Sequence, residues 1–339
     1  MKRSPVGLLE IADPHTLASA FHLAARGKRG RGDVEAFRAD LDTEIRRLRQ
    51  EVLAGLWQPG PMRRFRIHDP KPRLIHAPCF RDRVLHHAIM AHVGPVLDRS
   101  LVFDTYACRE GKGTLAAVQR VCAHADRYAW FAQIDVRAYF ASIDHAILLA
   151  MLERKFKDPA LLALLRRIIG AHQDGPDRGL PIGTLASQHL ANFYLGGFDR
   201  YLLETIRVAG FVRYMDDVIW WCDDRATARA AVVMAGDYLA TRLRLDIKRP
   251  VRIGRSALGL NFCGFRILPG RLLLSRRRRH RYVALRRAAE RSWLNGSSDG
   301  PGLQAVYACA LGLTIHADAA VWRREQLRRS PLEPALAEV

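Results

Sequence analysis

The chain has 339 residues, 49% of them hydrophobic, a globular composition with enough length for one large domain or two ordinary ones. Its 54 Lys plus Arg against 34 Asp plus Glu leave a net charge of +20, which points to a polyanionic partner, nucleic acid ahead of an anionic membrane. No apolar run approaches the roughly 20 residues of a bilayer span, and the six cysteines stand singly without a C-x-x-C pair. A membrane-spanning chain, a zinc ribbon and a disulfide framework are thereby excluded, and a soluble, unexported chain with buried thiols is predicted.

In chain order, residues 33–56 carry apolar positions at helical spacing, with Asp33 as cap and QPGP at 58–61 as stop. RRFRIHDPKPRLIHAP (63–78) alternates basic and apolar residues around two prolines, the pattern of a basic β-ribbon. RDRVLHHAIMAHVGPVL (81–97) reads as a helix, and REGKGT (109–114) as a glycine-flanked basic loop ahead of another helix at about 115–126. WFAQIDV (130–136) is a predicted strand, and SIDHAILLAMLERKF (142–156) a helix that Ser142 would cap. LLALLRRII (161–169) is helical, and GLPIGTLASQHLANFYLGGFDRYLLETI (179–206) reads as a loop feeding a long helix. FVRYMDDVIWW (211–221) reads as a tight hairpin, followed by a helix near 225–243 and the strands LRLDI (243–247), LNFCGFRI (260–267) and RLLLS (271–275). From 275 onward the chain looks helical and very basic.

The hairpin places Asp216 and Asp217 together inside an apolar run. Two like charges about 4 Å apart repel by about 4 kcal/mol at an effective dielectric near 20, so a dry hairpin tip needs a cation on them. Hard carboxylate oxygens with no thiolate nearby suit Mg²⁺, although an exposed turn would also accept the pair. Asp135 ends the predicted strand WFAQIDV; beside the hairpin in one sheet it would bring a third carboxylate to the spot, and as a strand-end cap it would not. Two ions held about 3.5 to 4 Å apart would assist an in-line phosphoryl transfer, which on a surface of this charge means transfer to a nucleic acid.

Several ordered blocks carry a resemblance. YMDD (214–217) resembles the signature hairpin of reverse transcriptases, and QIDVRAYFASIDH (133–145) the segment bearing their first catalytic aspartate. KPRLIHAP, RDRVLHHAI, YACREGKGT, GLPIGTLASQ and LNFCGFRI resemble the remaining blocks of the bacterial retroelement enzymes, in order, from about residue 30 to about 330. The pattern I-G-x-x-x-S-Q at 182–188, with PGPMRRFRIHDPK (59–71) and SIDH (142–145), resembles the reverse transcriptases of diversity-generating retroelements, although Thr184 and Ala186 stand where many relatives have Asn and Thr. A group II intron-like or defence-associated reverse transcriptase is the alternative within enzymes, and a non-catalytic RNA-binding splicing or chaperone relative the alternative outside them. No V-T-G precedes the basic C-terminal region, which weakens a retron reading, and the maturase and endonuclease domains of intron proteins are not expected.

The resemblance implies an α+β right-hand polymerase: fingers and palm over 1–270, with fingers mainly 1–128 and 150–182 and an antiparallel-sheet palm mainly 129–149 and 183–270, then a basic helical thumb over 271–339. It implies an RNA-directed DNA polymerase that copies a template-repeat RNA into cDNA, misincorporates opposite adenines and so diversifies a target gene of a phage or bacterium by mutagenic retrohoming. The expected location is the bacterial cytoplasm. Expected partners are template RNA, the RNA/DNA primer-template, dNTPs and a small basic accessory variability protein, a helical oligomer; the expected cofactor is Mg²⁺, two ions, with Mn²⁺ as a substitute.

Residue by residue, Asp135 and Asp216 would ligate metal, with Asp217 the third acid and Val136 lending a backbone carbonyl. Phe140 resembles the ribose gate, against a core phenylalanine as the plain reading. Arg73 and Lys71 would grip the triphosphate, and Lys248 would protonate the departing pyrophosphate. Ile182, Gly183, Ser187 and Gln188 would lie against the nucleotide, with Ile182 unable to supply the amide hydrogen bonds that Gln would. Arg109 and Lys112 in the glycine-flanked loop, and Arg276, Arg277, Arg278 and Arg279 further on, would contact nucleic-acid phosphates. His86, His87 and His92 share a predicted helix without H-E-x-x-H spacing and read as core or RNA-facing residues rather than metal ligands.

Overall fold

The computed structural model describes residues 2–68 and 72–332. The N-terminal part is helical: α1 (Leu8–Ile11), α2 (Pro14–Ala25), α3 (Gly32–Ala39) and α4 (Leu41–Leu53). Asp13 caps α2 by accepting from Thr16 N at 2.9 Å, with Pro14 at the first helical position. The single helix expected over 33–56 is in fact two, parted at Asp40, whose φ of −127° leaves the helical region. That break lets Val34 and Phe37 of α3 join Ile45, Leu48 and Val52 of α4 in one core. β1 (Arg63–Ile67) and β2 (Arg73–Ala77) form the expected ribbon, antiparallel with Ile67 opposite Arg73, and α5 (Phe80–Asp98) and α6 (Thr114–Arg127) follow.

β3 (Trp130–Asp135) leads into α7 (Tyr139–Ser142), α8 (His145–Glu153) and α9 (Pro159–Gly170). Ser142 does not cap the helix after it: Asp144 does, accepting from Ile147 N at 3.1 Å, while Ser142 closes α7 by donating to the Arg137 and Ala138 carbonyls. The long helix expected after 185 is broken into α10 (Leu185–Tyr194), α11 (Gly196–Arg200) and a π turn over Tyr201–Ile206. β4 (Gly210–Tyr214), β5 (Asp217–Cys222) and α12 (Arg225–Leu243) lie as predicted. LRLDI forms no strand: Arg244 ends α12 at φ +52° and Leu245 turns into the core, leaving one bridge between Val136 and Ile247. The strand that does pair with β3 is β6 (Arg252–Arg255). β7 (Leu260–Phe262), β8 (Phe265–Leu268) and β9 (Arg271–Leu274) make a separate meander, and α13 (Arg276–Leu294), α14 (Gly300–Gly312) and α15 (Ala320–Arg329) complete the described chain.

The central sheet runs β4-β5-β3-β6, with every neighbouring pair antiparallel. Its side chains alternate between two cores, as a period of two requires. Phe211, Val218, Trp220, Ala132 and Ile134 face one core, with Ala228, Ala231 and Ala235 of α12. Val212, Ile219, Trp221 and Phe131 face the other, with Val118 and Val121 of α6, the β7–β9 meander and Ala319. Because both faces are covered, the hairpin reads as apolar sequence on either side of its acids, Arg213 apart. Among the described residues no helix is long and apolar enough to cross a membrane.

Candidate active site

The site is built at one end of the central sheet. Tyr214 pairs with Asp217, so Met215 and Asp216 form a two-residue turn, and Met215 takes φ +58°. A positive φ at the first turn residue matches the right-handed twist of the two strands, at a steric cost for a side chain with a Cβ. The register also sets Asp135, the last residue of β3, directly opposite Asp217, the first of β5. Asp216 is thereby carried on the tip beside Asp135.

Electrostatics follow from that packing. Burial first, and then the neighbouring Asp135 carboxylate, push the Asp216 carboxyl up to about 6, while Arg73 pulls the other way. Asp217 is pushed up to about 7, by burial first, against a hydrogen bond of 2.9 Å from Gln133 Nε2. Lys248 Nζ stands 2.8 Å from Asp135 Oδ2, and Lys248 N donates to the Asp135 carbonyl at 2.9 Å. Among the described residues no three His, Cys, Asp or Glu side chains gather as a metal cluster. The expected meeting of three acids is two plus one: Asp135 with Asp216, and Asp217 turned to Gln133. Two hard oxygen donors held together against their own repulsion suit a divalent cation. Val136 lies next to this pair; the two bonds that frame its bridge, Lys248 N to Asp135 O and Arg137 N to Asp246 O, both leave its own carbonyl unused.

A cavity of about 790 Å³ opens before the carboxylates, and its wall brings together Arg73, Asp135, Phe140, Ile182, Asp216 and Lys248. A second opening, about 410 Å³, takes in all three aspartates with Gln133, Arg249 and Arg252. Lys71, the other expected triphosphate contact, lies outside the described residues. Gly183 has φ +119°, and a Cβ there would sit 2.7 Å from Ile75 and 3.1 Å from the His76 carbonyl oxygen. His76 N donates to the Ile182 carbonyl at 2.8 Å, so the 182–183 loop is bonded to β2. Gly183→Ala is therefore expected to lower unfolding free energy by roughly 1–3 kcal/mol, measured by denaturant titration. Ser187 is buried, its hydroxyl 2.6 Å from that of Thr184, and Gln188 is exposed with its Oε1 3.6 Å from the Cys108 thiol; neither borders the larger cavity.

The basic residues expected on nucleic acid divide. Arg109 turns inward, 12% exposed, onto Asp98 and the Val102 and Thr105 carbonyls. Lys112 covers the Phe103 ring at 3.5 Å. Arg278 lies over Phe265 at 4.0 Å. Arg276 and Arg277 are exposed at the start of α13, and Arg276 and Arg279 line a groove of about 760 Å³ with Arg287, Arg291 and Trp322. His86 is buried, which holds it down at about 4, and His92 bonds Thr16 at 3.2 Å, so α5 carries packing histidines. Sequence reasoning does not single out Gln133, although it lies two residues before Asp135 on the same face of the strand. His76 and His172, with ring centroids 4.4 Å apart on the cavity wall, give no sequence signal, because a loop and a ribbon bring them together.

Chemically, this arrangement can hold a cation between two carboxylates and a phosphate-bearing group on Arg73 and Lys248 across one cavity. Comparison with known families supplies the class. The reverse transcriptase (RNA-dependent DNA polymerase) family matches residues 67–249, more than half of the chain. The chain belongs to that family, whose enzymes generally use divalent metal ions. It is 29% identical over 214 residues to protein YkfC of Escherichia coli K12, covering 57% of this chain and 56% of that protein. It is 23% identical over 172 residues to the group II intron-encoded protein LtrA of Lactococcus lactis subsp. cremoris, covering 48% of this chain and 29% of LtrA. A 91 kDa protein in the cob intron of Schizosaccharomyces pombe is 25% identical over 138 residues, 39% of this chain and 17% of that protein. The chain thus spans little more than half of YkfC and under a third of the two intron proteins.

Proposed function

We propose that the chain is an RNA-directed DNA polymerase of right-hand form, with the fingers, palm and thumb boundaries given above, and that it copies a template-repeat RNA of a diversity-generating retroelement. The observation that carries the catalytic part is the meeting of Asp135 and Asp216 on one cavity wall with Arg73, Phe140 and Lys248. Bound divalent ions, Mg²⁺ in this reading, would activate the primer 3′-hydroxyl and stabilise the departing pyrophosphate. Asp135, Asp216 and the Val136 carbonyl would hold them, with Asp217 joining by leaving Gln133; Arg73 would orient the triphosphate, and Lys248, already on Asp135, would deliver a proton to the leaving group. The smaller opening, bordered by Gln133 and Arg252, is where the primer end enters. The groove of Arg276, Arg279, Arg287 and Arg291 follows the template-primer backbone, and Lys112 and Arg277 add phosphate contacts. Incorporation of dNTPs on a primed RNA, absent in an Asp216→Ala, Asp217→Ala chain, is the test.

The retroelement assignment rests on I-G-x-x-x-S-Q. Ile182 lines the same cavity as Phe140, where a branched aliphatic offers a base pair no amide hydrogen bonds. Ile182→Gln is expected to lower misincorporation opposite template adenine by about tenfold, worth about 1.4 kcal/mol, read by sequencing primer-extension products. Unchanged errors at adenine would defeat this role. In the same reading a small basic accessory variability protein binds the enzyme. The similarity to LtrA favours a second reading, an intron-type reverse transcriptase; cDNA of the cognate RNA made without adenine-directed errors would select it.

A further inference from the structure

β4 is apolar on both faces except for Arg213, and neither its side chain nor that of Asp199 has any exposed surface. A guanidinium taken wholly out of water needs every donor occupied. Nε and Nη2 fork onto the two Asp199 oxygens at 2.7 and 2.6 Å, and Nη1 and Nη2 reach the side-chain and main-chain oxygens of Asn192 at 2.9 and 3.0 Å. Thr105 Oγ1 donates to Asp199 at 3.0 Å, and Asn192 Nδ2 donates to the Ala107 carbonyl at 2.8 Å. The bonds to Asp199 and Asn192 take four of the five guanidinium donors. The fifth, on Nη1, reaches past the ion pair and donates to the carbonyl oxygen of Met215, at 2.9 Å.

Met215 is the residue with φ +58° at the hairpin tip, and the next residue is Asp216. A side chain in that backbone region relaxes toward negative φ unless something holds the peptide, and relaxation would swing Asp216 off Asp135. We propose that Arg213 is a positioning residue: by holding the Met215 carbonyl against the buried Asp199 and Asn192, it fixes the tip so that Asp216 is presented to Asp135. This rests on the polymerase reading above. The hydrogen bonds of Arg213 go to Asp199, Asn192 and Met215 and to none of the six cavity-wall residues named for the reaction, so it acts through Met215.

The test is Arg213→Lys, alone and with Met215→Gly. Lysine keeps the charge for Asp199, but a single ammonium lacks the planar fork that reaches Asp199, Asn192 and Met215 together. At saturating dNTP, the single variant should add nucleotide at least tenfold more slowly and need several-fold more divalent metal for half-maximal rate. Glycine occupies positive φ without a Cβ penalty, so Met215→Gly in that background should recover the rate fivefold or more without recovering the melting temperature. A folded Arg213→Lys chain with unchanged rate and metal requirement overturns the proposal, as does a rate loss that Met215→Gly leaves in place. Should Arg213→Lys fail to fold, Asp199→Asn, which keeps the side-chain shape and loosens the fork, is read by the same assays, and the same outcomes uphold or overturn the role of Arg213. A parent chain that adds no nucleotide overturns the polymerase reading instead; amide exchange at 214–217, faster in the variant if Arg213 holds the tip and unchanged if it does not, then decides this one.

Discussion

Asp216→Asn is expected to cut nucleotide addition at least about 10³-fold, some 4 kcal/mol of transition-state stabilisation, while making the metal-free chain more stable at pH 8. Both effects have one cause. The fold holds Asp216 partly buried against Asp135, and the cost appears as a carboxyl pushed up to about 6. An acid whose folded value is raised contributes nothing below about pH 4, where folded and unfolded chains are both protonated. Between about pH 4 and pH 6 the unfolded chain releases its proton while the folded chain keeps it, and stability falls. Asp217, pushed up to about 7, lowers stability over the same range and for one unit beyond it. Each unit is worth about 1.4 kcal/mol, so an Asp216→Asn, Asp217→Asn chain should nearly match the parent at pH 4 and melt roughly 10 °C higher at pH 8 in EDTA. A divalent ion should narrow the gap by stabilising only the parent. Scanning calorimetry at the two pH values, with and without the ion, reads it; a gap that does not grow with pH would show the carboxylates to be independent of each other and of their burial.

Phe140→Ala is expected to reduce discrimination against ribonucleotides about 10²-fold, with dNTP incorporation much less affected. Phe140 lies on the same wall as Asp135, five residues after it, and Leu180 N donates to its carbonyl at 2.8 Å. Ala138 at φ +46° turns the chain between the two residues, so that the acid and the ring both border the cavity. A ring set by a bonded backbone can exclude a 2′-hydroxyl by shape, and a pocket contact of this kind is worth roughly 1–3 kcal/mol. Competition between dNTP and rNTP in single-nucleotide extension checks it. Equal discrimination in the variant would make Phe140 a core residue and no gate.

The hairpin, β3 and α12 are readable in the sequence because their signals are local: a nearly continuous apolar run, acids at strand ends, and a helix capped at Asp224 and ending near Leu243. The break at Asp40 is not, because apolar spacing continues through it and only the demands of the core decide that α3 and α4 diverge. Ser142 and Asp144 are both good caps two residues apart, and the αL turn at Ala138 decides between them. β6 stays hidden because RIGR has few apolar residues and its pairing with β3 is entirely long-range. At the site, residue types are legible but company is not. Gln133 on Asp217, Lys248 on Asp135 and Arg213 under Met215 are relations between distant segments. Arg109 shows the reverse hazard, since a basic loop residue looks solvent-facing in sequence whether or not a carboxylate such as Asp98 waits beneath it.

The bond from His76 N to the Ile182 carbonyl, with Gly183 leaving no room for a Cβ against Ile75, fastens the strand that begins at Arg73 to the loop that carries Ile182. In the function proposed above, grip on the triphosphate tail and the surface that meets the base pair would therefore be coupled through this bond. A chain wired this way would not evolve firmer hold and stricter copying independently: an adjustment that drew the ribbon inward would also reset the clearance around the pair, and selection for sloppiness at one end would be felt as affinity at the other.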